Sequence, residues 1–447
     1  MRFGLLGLLI PLTLASTAQT PATTGELHAA TASRALPTSL SANAVSSQAM
    51  AATALPADFN VAQFEALAQQ LTLGERVPGL AMAIVHNGRV LSAKGYGVTD
   101  VAAPQAIDSH TVFRLASLSK AFAGTLAGLL VNDGSLRWDS RVSDYVPSFR
   151  LSDPLATQRV TVADLLSHRV GLRAHNAFDR DIEGNADYYT VTQKLADAPM
   201  NCLPGQCYAY QNVAFSVLGD VVFAATGGFY EQAVDKRIFK PLGMNDASLG
   251  LAGIENSARW ARPHVRSRNG WVALSPKPTY YRLAPAAGVN ASISDMAQWL
   301  VAQTGHRPDV LPAPLLATLH APLVSTPGEL RSGWRRDRIY SASYALGWRV
   351  FDYAGHPVVF HAGAVQGYRG MVALLPERDF GIALLWNSDS SVPSGLLPTI
   401  LDRAMSLPPQ QWLDTPMDTS DLLMADSTVP ADNSGGGSAS QATASPR

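Results

Sequence analysis

The stretch Phe113–Val131, FRLASLSKAFAGTLAGLLV, decides the reading of this chain. It is apolar nearly all round, and a helix of that kind belongs in a core. Ser117 and Lys120 stand at its front, three residues apart, and that spacing puts them on one helix face. A lysine held among apolar groups loses hydration, which lowers its pKa. A neutral amine beside a hydroxyl activates the oxygen, so Ser117 is a candidate nucleophile. The bland alternative is a capping serine beside a lysine that stretches to solvent. Ser-x-x-Lys alone is a weak signal. The chain has six lysines, and this is the only place where one completes that spacing.

Two more short elements lie downstream. Tyr210-Gln211-Asn212, in CYAYQNVAFSVLGD, comes just before a second apolar helix and is the only Tyr-x-Asn in the chain. His361-Ala362-Gly363 ends a strand-like run, VVFHAG. Alone, Tyr210 reads as a half-buried packing residue, Asn212 as a helix cap and His361 as a strand-end histidine. Another His-x-Gly, His86-Asn87-Gly88, separates the strand-like runs GLAMAIV and RVLSAKGYGV and reads as a hairpin turn.

Around these elements the chain divides by composition. Arg2, the apolar run Phe3–Leu14 and the small residues Ser16 and Ala18 read as an export signal, 1–18, cleaved after Ala18. Residues 19–57 are rich in Ala, Ser and Thr and read as a disordered leader, and 413–447, ending SGGGSASQATASPR, as a disordered tail. The folded body is expected over 58–412. Strand-like runs fall at about 58–137 and 340–412, with a helical, loop-rich stretch over about 138–300 between them. This predicts an α+β architecture: a lobe with an antiparallel sheet sandwiched by helices, and an inserted all-helical lobe. A site between lobes is the natural expectation.

The net charge of -1 and the lack of a basic patch argue against nucleic acid or anionic membrane as partners. No stretch after the signal has the length of a membrane helix. The two cysteines, Cys202 and Cys207, read as a small loop disulfide in an exported protein. No histidine has metal-ligand spacing, and Walker loops and Gly-x-Ser-x-Gly elbows are missing. No cofactor and no metal are expected.

Taken in order, Ser-x-x-Lys, Tyr-x-Asn and His-x-Gly resemble the serine β-lactamase and penicillin-binding protein family, in its class C β-lactamase and D,D-peptidase branch. The phrases DLLSHRVGL, IFKPLGM, GVNASISDMAQWL and GYRGMVALLPERDFGIALLWN resemble it too, so the likeness covers nearly the whole body. It implies a β-lactamase/transpeptidase-like fold and a role for each matching position. Ser117 would form an acyl-enzyme, with Lys120 and Tyr210 handling its proton. Asn212 would bond the substrate amide, and Gly363 would admit the ligand close to the backbone. The backbone N–H groups of Ser117 and Ala364 would form the oxyanion hole.

True β-lactamases of the family usually carry lysine where this chain has His361. A histidine with a pKa near about 6.5 would be a weaker, pH-dependent anchor for a substrate carboxylate. His168 reads as a structural residue shaping a loop near the site, and Arg369 as an exposed strand-edge arginine. The expected function is an exported, periplasmic or secreted, serine hydrolase acting on a small ester, a D-amino-acid peptide or amide, or a β-lactam. Two alternatives are a true class C-like β-lactamase and a non-catalytic protein that binds penicillin or peptidoglycan peptides.

Overall fold

The computed structural model describes residues 53–413, apart from positions 74 and 332. The expected export signal, the leader up to residue 52 and the tail from 414 lie outside the described residues. Residues 53–57, assigned to the leader by composition, attach instead to the body. The Thr53 amide donates to the Glu377 carbonyl at 2.9 Å, and Arg378 donates to the Ala54 carbonyl at 2.7 Å.

Thirteen strands form three sheets among the described residues. In chain order they are β1 (Gly79–His86), β2 (Arg89–Gly97), β3 (Val112–Arg114), β4 (Ser248–Leu249), β5 (His264–Ser267), β6 (Gly270–Ala273) and β7 (Val289–Ser292). The later strands are β8 (Val324–Ser325), β9 (Ile339–Tyr344), β10 (Arg349–Tyr353), β11 (His356–Val365), β12 (Tyr368–Leu375) and β13 (Phe380–Trp386). The main sheet has eight antiparallel strands in the order β2-β1-β13-β12-β11-β10-β9-β8. The N-terminal strands thus join the C-terminal ones, as the composite-lobe reading requires. The β1–β2 turn is Asn87-Gly88, with φ of 49° and 68°. That left-handed pair is the tight hairpin turn whose twist matches the strands, and it is why Asn-Gly stands there.

Both faces of the sheet are covered, so its central strands are apolar on both sides. On β1, Leu80, Met82 and Ile84 point one way and Ala81, Ala83 and Val85 the other, following the period of two. The first set packs under helix α1 (Val61–Leu73) and the C-terminal helix Leu396–Ala404, through Phe64, Leu71, Leu397 and Leu401. The second set packs against helix α2 (Ser119–Asn132) and helix Ile293–Val301. No single helix among the described residues is long and apolar enough to cross a membrane.

The α+β reading holds, but the inserted lobe is not all-helical. β4 and β7 add to β3 in a three-stranded sheet, and β5–β6 form a hairpin. β7 pairs with β3 just ahead of Ser117, with Arg114 opposite Asn290. Helix Ile293–Val301 lies across β1, β2 and β13 and so belongs to the sheet layer.

Candidate active site

The chain enters the site along β3 and turns sharply at Ala116, a non-glycine residue with φ of 49°. Such backbone is costly and is kept only where its surroundings enforce it. Here the enforcement is pairing before and packing after: the Leu115 amide donates to the Val289 carbonyl at 3.0 Å, and Leu118 is buried. Ser117 sits in the single 3₁₀ turn Ala116–Leu118, directly ahead of α2. It is half-buried while its neighbours on both sides are buried, so it is the one residue of the turn open to a ligand.

Lys120 is fully buried. Its Nζ donates to Ser117 Oγ at 3.1 Å, to Asn212 Oδ1 at 2.6 Å and to the Ala286 carbonyl at 3.1 Å. The lysine does not stretch to solvent, so the bland reading of the motif fails. Nζ also lies 4.6 Å above the centre of the Tyr210 ring. The three side chains expected to meet, from positions 117, 120 and 210, therefore share one site.

Tyr210 is delivered by a braced loop. Cys202 and Cys207 are joined in a disulfide. The loop that contains them runs beside the segment 169–173: Arg173 donates to the Pro199 carbonyl, Asn201 to Gly171, and Gly205 to Arg169. The Tyr210 amide then donates to His175 Nδ1 at 3.0 Å, and its carbonyl accepts from the Asn176 amide at 2.7 Å. The ring packs on His168 with centroids 4.2 Å apart. His168 is buried, its Nδ1 accepts from the Gln211 amide at 3.1 Å, and burial holds its pKa well below the ordinary value. It is a neutral packing residue, as read from the sequence.

Behind Tyr210 lies an ion group that motif reading missed. Glu329 pairs with Arg335 at 2.5 Å and with Arg349. All three are buried. The Arg349 guanidinium lies 5.3 Å from the Tyr210 ring centre and 5.6 Å from that of Tyr344. Burial works against its charge, and Glu329 with the nearby tyrosines more than offsets this, raising its pKa.

The opposite wall is β11. Its pairing with β10 ends at Phe360, opposite Arg349, whereas its pairing with β12 continues to Val365. His361–Val365 thus has a strand neighbour on one side only and runs past the serine turn on the other. A Cβ on Gly363 would stand 2.2 Å from the Leu115 carbonyl oxygen and 3.1 Å from the Ser117 nitrogen. Only glycine lets the strand come this close. Ala364, the next residue, is half-buried.

Three expectations need correction. His361 is not a charged anchor. It is fully buried, with Nε2 3.0 Å from the Tyr344 hydroxyl and Nδ1 2.7 Å from the Ala362 carbonyl. A carbonyl only accepts, so Nδ1 carries the proton and Nε2 accepts from Tyr344. Burial, followed by Arg349 and Lys120, holds its pKa well below the ordinary value. Asn212 has neither amide hydrogen left over for a substrate amide. Its Oδ1 is taken by Lys120, and its Nδ2 donates to Asn176 Oδ1 at 3.1 Å and Asp179 Oδ2 at 2.7 Å. It is also not the helix cap: Gln211 holds the N-cap position of helix Asn212–Ser216, without a side-chain capping bond. Arg369 is buried rather than exposed, donating to the Val365 carbonyl at 2.8 Å and pairing with Asp389 at 3.3 Å.

A cavity of about 260 Å³ lies beyond the end of β11, lined by Arg114, Glu183, Lys277, Tyr280, Val365 and Gln366 among others. A larger groove of about 610 Å³, beside Glu75, Trp271 and Asp389, includes none of Ser117, Lys120, Tyr210, Asn212, His361 and Gly363.

The family model for Beta-lactamase matches residues 64–404. An unguisins hydrolase from Aspergillus campestris is 26% identical over 351 residues, covering 76% of this chain. The chain spans 64% of the length of that relative. Among solved structures, the octameric penicillin-binding protein homologue from Pyrococcus abyssi gives a TM-score of 0.70 at 23% identity, covering 79% of each chain. SurE, also solved with D-Leu, gives 0.62 at 21% identity, covering 78% of this chain and 77% of that one. These likenesses extend to the fold that brings Ser117 and Lys120 together, and the match over 64–404 takes in both walls of the site: the chain belongs to the beta-lactamase family.

Proposed function

We propose that this chain is an exported serine hydrolase that works through an acyl-enzyme. The observation that carries this reading is the 3.1 Å contact between buried Lys120 Nζ and half-exposed Ser117 Oγ. Ser117 Oγ attacks the substrate carbonyl carbon, and its proton passes to Lys120 in its neutral form, when Nζ accepts from the serine hydroxyl instead of donating to it, or to Tyr210 as a phenolate. The negative charge that develops on the carbonyl oxygen is met by the backbone N–H groups of Ser117 and Ala364. The same proton then goes to the leaving amine or alcohol as the bond to it breaks, and water releases the acyl group. Lys120 Nζ lies 4.6 Å from the centre of the Tyr210 ring, so amine and phenol stand on the same side of the serine.

The substrate class is a small ester, a D-amino-acid peptide or amide, or a β-lactam. Neutral, buried His361 offers no positive charge to a substrate carboxylate at that point, which favours an ester or an amide over a β-lactam or a peptide with a free C-terminal carboxylate. The cavity with Arg114, Lys277 and Glu183 offers room and both signs of charge to the part of a substrate beyond the scissile bond. Export is supported by the N-terminal pattern over 1–18 and by the Cys202–Cys207 disulfide.

The test is a hydrolysis panel read by intact mass: an aryl acetate, a D-Ala-D-Ala peptide, a D-amino-acid amide and a cephalosporin. Acylation at Ser117 followed by turnover of an ester or D-amino-acid compound is expected. Rapid cephalosporin turnover would select a β-lactamase instead, and stoichiometric acylation without turnover would select a binding protein.

A further inference from the structure

The hydrogen bonds that hold Lys120 do not stop at Asn212. The amide's Nδ2 donates to Asp179 Oδ2 at 2.7 Å, and the same oxygen accepts from the Tyr280 hydroxyl at 3.2 Å. The Tyr280 oxygen also lies 2.9 Å from Glu183 Oε1, so its one hydrogen is shared between the two carboxyl groups. Asp179 opens the short helix Asp179–Glu183 and is buried, and its Oδ1 has no hydrogen-bond partner in the structure. A carboxylate with one oxygen left bare costs stability, so its retention asks for a return.

The return lies in the asymmetry of an amide. Asn212 can point either its oxygen or its NH₂ at Lys120, and only the oxygen accepts from an amine. An ionised aspartate only accepts, so Asp179 draws the NH₂ to itself and leaves Oδ1 for Lys120. We infer that Asp179 is a positioning residue of the active site: it fixes the orientation of Asn212, which in turn aims Lys120 at Ser117. The inference rests on the serine-nucleophile reading and deepens it.

The carboxyl is also poised to release this hold. Burial pushes its pKa up to about 7, against the pull of the Asn212 hydrogen bond, Lys120 and Tyr280. The groups that face it are Lys120 on α2, Asn212 at the start of helix Asn212–Ser216, Tyr280, and Glu183 on its own helix. Once protonated, it becomes a donor and tolerates the rotated amide.

The experiment follows the labelling rate of the whole protein by a fluorophosphonate, which reports Ser117 reactivity before any substrate is known. Asp179→Ala is expected to slow labelling by about tenfold or more, the scale of a small misplacement of a reacting group. Asp179→Asn, whose oxygen can still accept from Asn212, should lose less. Because Asp179 acts through Asn212, the double variant Asp179→Ala/Asn212→Ala should be no slower than Asn212→Ala alone. Losses that multiply in the double variant, or wild-type labelling in Asp179→Ala, overturn the inference. Should the alanine variant fail to fold, Asp179→Asn decides. It should lack the step near pH 7 in the wild-type rate profile, and an unchanged step overturns the inference. Wild-type protein that does not label at Ser117 at all would remove the nucleophile reading, a different and recognisable failure.

Discussion

On one side of Ser117 stand side chains that exchange hydrogen bonds: Lys120, Asn212 and, at ring distance, Tyr210. On the other runs β11, which faces the serine turn with backbone and with a glycine that has no side chain to offer. The first wall needs particular functional groups, each held by several partners. The second needs an absence of atoms and an unpaired strand edge. Both belong to one motif set, but one depends on chemistry and the other on clearance. Substitutions on the two sides should therefore fail in different ways.

The largest effect is expected at the nucleophile. Ser117→Ala should lower kcat/KM on any hydrolysed ester by on the order of ten-thousandfold or more, with the melting temperature near that of the wild type. Residual turnover within tenfold of wild type would break the side-chain half of the comparison. Behind that wall, Glu329→Gln leaves Arg335 and Arg349 buried without a counter-charge. Removing one member of a buried ion group costs about 3–5 kcal/mol, so chemical denaturation should show a large loss of stability. A shift below about 1 kcal/mol would mean that the arginines find other partners.

On the strand wall, Gly363→Ala forces a Cβ to 2.2 Å from the Leu115 carbonyl. Overpacking of this kind costs about 1–3 kcal/mol. The displaced Ser117 turn should lower kcat, even though no reacting group is removed. Unchanged kcat and stability would deny that clearance matters there.

The smallest effect concerns His361 and sharpens the contrast. Affinity for carboxylate-bearing substrates should show no His361-dependent change from pH 5 to 8, measured as the difference between wild type and His361→Asn. Stability should show one. The folded histidine resists protonation, so below about pH 6.5 the unfolded chain binds the extra proton. This contribution is full above that pH and is lost as the pH falls. The stability gap between wild type and His361→Asn should therefore narrow from pH 7 to pH 5, and a constant gap would contradict a neutral His361.

What could be read in advance follows the same division. Ser117 and Lys120 were legible because they front an apolar helix at a spacing that local geometry converts into proximity, whereas Tyr210, alone a packing residue, was legible only through the order of the three motifs and the family resemblance. The Asn87-Gly88 hairpin was legible because only a few residue pairs make that turn. Asp179 was not, since AFDRDIEG holds three acidic residues and only the fold singles out the one beneath Asn212. His361 was read by residue type, which cannot reveal that Tyr344 and Arg349 close over it. The β5–β6 hairpin interrupts a stretch read as helical and loop-rich, and its two loop residues, Arg268-Asn269, are not one of the residue pairs that single out a hairpin turn. Ion partners such as Glu329 and Arg349 lie 20 residues apart in chain order and have no periodic signature.

The half-unpaired stretch of β11 has a further consequence. Bare strand edges invite other chains to add on and aggregate, and proteins shield them in many ways. Here the shield is the serine turn itself, packed so close to Gly363 that no second sheet can slide alongside. A guest can dock on these backbone groups only if it is slim and short. The close approach that covers this edge therefore also limits, by clearance alone, what could lie alongside it.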